Sequence, residues 1–125
     1  MYYTTAQIRY RARKNIAALQ EKSRHAFVLS RNSTGVDSRY QLAYSIACID
    51  VRKEIERALT LRGKAFLREL VSARETLLCI LARYDYQEAK NWEERGQSQP
   101  FDPMAIRAWR TALIDAIDAH DDWLA

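Results

Sequence analysis

Apolar residues recur along this chain at spacings of three and four, the period of an α-helix that buries one side. No strand-like alternation lasts long enough to compete. The three glycines (Gly35, Gly63, Gly96) and two prolines (Pro100, Pro103) all fall between the periodic runs. They mark off four helices, over about residues 4–30, 38–62, 64–92 and 102–123. The expected fold is all-α: a four-helix, bundle-like single domain spanning residues 1–125.

The first helix is expected to open at Thr4. Thr4-Thr5-Ala6-Gln7 has the capping-box form, and Tyr3 and Ile8 stand where a hydrophobic staple closes the first turn. Ile8, Ala12, Ile16, Leu19, Ala26 and Phe27 form one apolar stripe, and Arg31 to Asp37 reads as a loop. The second helix is expected to start at Asp37 or Ser38 and to bury Leu42, Ile46, Ile49, Val51, Ile55, Ala58 and Leu59. Arg52 and Glu56 make an i,i+4 pair on its exposed side. Gly63, just after Arg62, reads as a helix-ending glycine at a tight reversal. The alternative is one bent helix through Gly63, about 80 Å long at 1.5 Å per residue, which would need a partner chain.

In the third helix Phe66, Leu70, Ala73, Leu77, Ile80 and Tyr84 form a seam spaced by four and three. Leu67, Val71, Leu78 and Leu81 lie beside it and widen the apolar face, so this helix is expected at the centre of the bundle. Glu93 to Pro100 reads as a polar connection. Phe101-Asp102-Pro103 then opens the fourth helix, with Asp102 as cap, Pro103 at the first helical position and Phe101 stapled to Ile106. Ile106, Trp109, Leu113, Ile117 and Leu124 mark its buried side.

Composition narrows the function classes. With 125 residues, 48% hydrophobic and 29% charged, the chain has an ordinary globular balance and enough length for one continuous core. It has no apolar run of about 18 residues, and its N-terminal stretch lacks the apolar segment of a signal peptide. A cytoplasmic protein with no membrane contact is expected. Cys48 and Cys79 sit singly within helical patterns and read as reduced core residues rather than a disulfide or ligands. His25 and His120 read as surface or boundary residues. There is no phosphate-cradling glycine loop, no dinucleotide fingerprint and no assignable nucleophile. The expectation is therefore a non-enzymatic protein with no cofactor, metal or small-molecule substrate.

Charge is uneven along the chain. Residues 1–31 hold seven Lys/Arg and one acid, 7 − 1 = +6, whereas residues 93–125 hold three and seven, 3 − 7 = −4. Such asymmetry implies an acidic partner for the first helix, or pairing between the two ends in one chain or across a homo-oligomer. On the first helix Arg9, Arg13, Arg24 and Arg31 fall along one flank of the polar side. Arg11 and Lys22 take the other, and Lys14 lies between. Tyr2, Tyr3 and Tyr10 add aromatic rings. Cations tracking a line of phosphates, with rings nearby, suit a nucleic-acid backbone without sequence preference. The plain alternative is a solvated helix face.

Asp115, Asp118 and Asp122 share a face of the fourth helix, close to His120 and Asp121, where like charges repel and oppose the helix dipole. Trp92 and Trp123 stand at helix ends, where they either serve a partner surface or plug the bundle. These residues carry the second expectation, a protein-binding adaptor or inhibitor of phage or mobile-element type. In size, helicity and basic balance, the chain resembles small helical subunits that line nucleic acid in larger bacterial complexes, such as the small subunit of CRISPR effector assemblies. That likeness implies a binding role within a larger bacterial or phage assembly.

Overall fold

Thr4 closes the first helix as a capping box. Its hydroxyl accepts from the Gln7 N–H at 3.1 Å, and its own N–H donates to Gln7 Oε1 at 2.8 Å. The computed structural model describes residues 3–94 and 101–124. Tyr2, the segment 95–100 with Gly96 and Pro100, and the Leu124 side chain lie outside the described residues. Four helices are present: α1 (Thr5–Asn32), α2 (Gly35–Leu59), α3 (Gly63–Glu93) and α4 (Pro103–Leu124). Among the described residues there is no strand, and no helix is long and apolar enough to cross a membrane.

Two glycines set the turns. Gly35 (φ +62°) and Gly63 (φ +58°) each open a helix in the left-handed region that a Cβ disfavours. Gly63 therefore marks a reversal between two helices, and the single bent helix does not form. The expected loop from Arg31 to Asp37 shrinks to Ser33 and Thr34, because the chain turns at Gly35 and coils again at once. Ser38 Oγ donates across this turn to the Ser30 carbonyl at 2.8 Å. Glu93 belongs to α3 and Glu94 caps it. At the start of α4, Asp102 Oδ1 accepts from the Met104 N–H at 3.0 Å, as expected of the cap before Pro103.

Helices consecutive in sequence run antiparallel. Arg9 meets Leu59 and Ser23 meets Ser45 between α1 and α2, while Arg74 pairs with Asp121 and Arg110 with Asp85 between α3 and α4. The central helix is α2, not α3. It packs most widely on α1 and then on α4, while α3 leans on α4 and less on α2. The reason is side-chain size. Ser45, Ala47, Cys48, Val51 and Ala58 on α2 let other helices approach closely from several sides. Ser23 and Ser45 sit buried at the α1/α2 crossing, each hydroxyl donating to the other's backbone carbonyl at 3.0 and 2.8 Å.

One core cluster joins all four helices, with Ile8, Ile16, Val51, Ile55, Phe66, Leu70, Leu77, Leu113 and Trp123 at its centre. Several expected core positions lie outside it. Leu42 and Ile46 on α2 are 45% and 46% exposed, and Phe27 on α1 is also exposed. They fall on the side of the α1/α2 pair that no third helix covers. The second stripe of α3 is left half open, with Val71 and Leu78 exposed and Leu67 and Leu81 partly buried. The α3 seam itself holds from Phe66 to Leu77, after which Ile80 and Tyr84 are only partly buried. Trp109 stacks on Tyr84 with ring centroids 5.4 Å apart. Cys48 is buried as expected, but Cys79 is exposed, and both thiols are free. His120, expected near the surface, is fully buried.

Candidate nucleic-acid interface

The α1 cations divide according to what each side of the helix meets. At 100° per residue, Arg9, Arg13, Gln20, Arg24, Phe27 and Arg31 fall within an arc of about 60°. Arg11 stands about 200° from Arg9, and there it meets α4 by pairing with Asp122 at 3.2 Å. The first group thus faces away from α4, along the open side of the α1/α2 pair.

Two concavities lie on that open side. One, of about 470 Å³, is lined by Thr5, Ala6, Arg9 and Arg13 of α1, with Leu59, Thr60, Arg62 and Gly63 across from them. The other, of about 460 Å³, is lined by Leu19, Gln20, Ser23, Arg24 and Phe27 of α1 and by Ser45, Ile49 and Arg52 of α2. The α1/α2 register (Arg9 opposite Leu59, Ser23 opposite Ser45) sets Arg52 opposite Ile16, between Arg13 and Arg24. The two concavities therefore carry, in order, Arg62, Arg9, Arg13, Arg52 and Arg24, and Arg31 follows on the same flank of α1. From Arg9 to Arg31 is about 33 Å along the helix axis.

Acids hardly offset this charge. No acidic residue lines either concavity, and among the described residues Arg13 and Arg62 form no ion pair. Arg24 pairs with Glu21 at 3.2 Å and Arg52 with Glu56 at 3.4 Å. The Arg24–Glu21 pair is exposed and of a kind worth only about 0.3–0.5 kcal/mol, whereas Arg52 is half-buried and held more firmly beside Glu56. Arg9 is held differently. Its guanidinium donates to the Leu59 and Leu61 carbonyls and lies over the Phe66 ring. It anchors the fold, yet these neutral partners leave its charge uncancelled.

The remaining expected cations lie elsewhere. Arg11 sits 4.2 Å from the Tyr3 ring centroid and against Asp122, so it joins α1 to α4. Lys22 is close to Arg11 around the helix, on the α4 side, where its charge and that of Asp115 both reach Cys48. Burial pushes the Cys48 thiol above its ordinary range and keeps it protonated. Lys14 covers the Tyr10 ring at 5.2 Å, and both stand on the outer surface of α1. Pairing between the charged ends thus occurs within one chain, through Arg11 and Asp122.

The acidic set also divides. Asp115 and Asp118 are exposed, Asp122 is bound to Arg11, and Asp121 is bound to Arg74 at 2.7 Å. Trp123 is no surface residue. It is 5% exposed and packs against His120, with ring centroids 4.9 Å apart. Its spacing after Ala116 and His120 (four, then three) is the signal that places it in the core. Trp92, at the end of α3, is 62% exposed. Sequence reasoning missed Arg52 and Arg62. Each lies on a different element from the basic run, and only the α1/α2 register brings them to it. Among the described residues no three potential metal ligands gather. No protein-family model, curated protein or solved structure matches this chain.

Proposed function

We propose that this protein is a non-catalytic binding subunit that holds a nucleic-acid backbone, without sequence preference, along the α1/α2 groove of a larger assembly. The observation that carries this reading is the file of five arginines lining two concavities of one open groove, with no carboxylate lining either. Phe27 is exposed in the same groove with the Arg31 guanidinium 5.8 Å from its ring centroid, and so offers one face on which a base can stack. A groove between two packed helices is too narrow for a duplex, which favours a single strand. Binding measured by fluorescence anisotropy against salt tests this. If five arginines each neutralise one phosphate, the log–log slope should be about −3.5 for a single strand. A salt-independent signal, or none at low salt, would remove the proposal.

A protein-binding adaptor is the second reading. It is favoured by Trp92, exposed at the end of α3, and by Asp115 and Asp118 on the open face of α4. The burial of Trp123 takes away one of the residues it would use.

A further inference from the structure

We propose that the head of the groove, where α1 begins and α2 turns into α3, is a pocket for a terminal phosphate monoester of the bound strand. The proposal rests on the groove reading above and names which part of the ligand lies at this end. Along the rest of the groove the arginines follow one another in file, which suits successive diesters of charge −1. At the head they converge instead. Arg9 and Arg13 are one helical turn apart, and Arg62 faces them across the same concavity of about 470 Å³. Three positive charges thus surround one space, and no acid lines it. A phosphate monoester carries about −1.5 to −2 at pH 7 and three acceptor oxygens, so it matches that field better than a diester.

The geometry around the pocket fits the end of a strand. Residues Thr60 and Arg62 of the α2–α3 turn line the cavity, so the turn lies across the groove where α1 begins. Arg9 is already fixed by the Leu59 and Leu61 carbonyls and by the Phe66 ring, so ordering it adds little to the cost of binding. Gly63 has no side chain, and nothing lies within 4 Å of where a Cβ would stand, which leaves the mouth open. The second concavity differs. Its two arginines each have their own glutamate, and no turn closes it.

Three single-stranded oligonucleotides of one sequence, labelled at an internal position, test the assignment: one with a 5′-phosphate, one with a 3′-phosphate and one with hydroxyl ends. One phosphorylated form should bind about tenfold more tightly than the hydroxyl form. Inorganic phosphate should remove that preference. Arg13→Gln combined with Arg62→Gln should bring the ratio to about one, whereas Lys14→Gln should leave it unchanged, with circular dichroism confirming helical content throughout. Equal binding of all three strands would overturn the pocket and leave the groove standing. A preference that survives loss of both arginines would also overturn it. If no strand binds, the groove reading itself fails.

Discussion

The Arg9 guanidinium lies 4.2 Å from the centroid of the Phe66 ring and also donates to the carbonyls of Leu59 and Leu61. One side chain from the second turn of α1 thereby ties together the end of α2, the turn and the first turn of α3. Arg9→Ala should lower unfolding free energy by about 2–3 kcal/mol in urea titrations, from the lost charged hydrogen bonds and ring contact. Arg9→Lys should recover less than half, because an ammonium cannot span both carbonyls while stacking on the ring. Arg13→Ala, one turn away and exposed, should change stability by under about 0.5 kcal/mol. Equal losses at both positions would mean that Arg9 anchors nothing.

Leu77 and Leu78 are chemically identical neighbours on opposite sides of the core boundary. Leu77 is fully buried, whereas Leu78 is exposed. Leu77→Ala should cost about 2–5 kcal/mol, and Leu78→Ala less than about 1 kcal/mol. Denaturation midpoints with a shared m-value will read the difference directly. Comparable losses would place a further helix, or a partner, over the second stripe of α3.

How much of this was legible beforehand varies by level. The helices and their caps were, because Thr4/Gln7 and Asp102/Pro103 act within a few residues of themselves. The centre of the bundle was not. Hydrophobic bulk pointed to α3, but closeness of approach decides the centre, and the small residues of α2 (Ala47, Cys48, Ala58) allow contact on more sides. Leu42 and Ile46 look as apolar as Val51, yet only the tertiary arrangement determines which side of α2 is covered. His120 could have been placed, since it continues the Leu113 and Ile117 spacing into the core. The groove was half legible: Arg9, Arg13, Arg24 and Arg31 share a flank by periodicity, whereas Arg52 and Arg62 needed the α1/α2 register.

His120 makes stability depend on pH. Its Nδ1 is 2.9 Å from the Ala116 carbonyl, which can only accept, so that nitrogen carries the proton. Nε2 is then buried with no partner, and the charged form would have to place a proton there. Burial pushes the imidazole below its ordinary range. The Ala116 hydrogen bond opposes this, Arg74 adds to it, and the Asp121 charge works against it. A folded value below the unfolded one, about 6.5, means that the unfolded chain binds the proton first. The stabilisation is complete above about pH 6.5 and is lost as pH falls through the folded value. Urea midpoints read from circular dichroism should therefore drop between pH 7 and 5, and His120→Phe should flatten that drop. An unchanged slope in the variant would assign the effect to other groups.

In the proposed binding mode, position rather than total charge makes this surface hold a strand. Arg13 and Arg24 lie in the groove, while Lys14 and Lys22 are on the same helix but outside it. Arg13→Ala with Arg24→Ala and Lys14→Ala with Lys22→Ala each remove two positive charges from α1. Single-strand affinity measured by anisotropy at several salt concentrations should fall for the groove pair, with the salt slope flattening by about 1.4 for two lost phosphate contacts. The off-groove pair should keep the wild-type slope. Equal weakening and equal slopes in both variants would contradict the groove and leave only the general attraction of a basic helix.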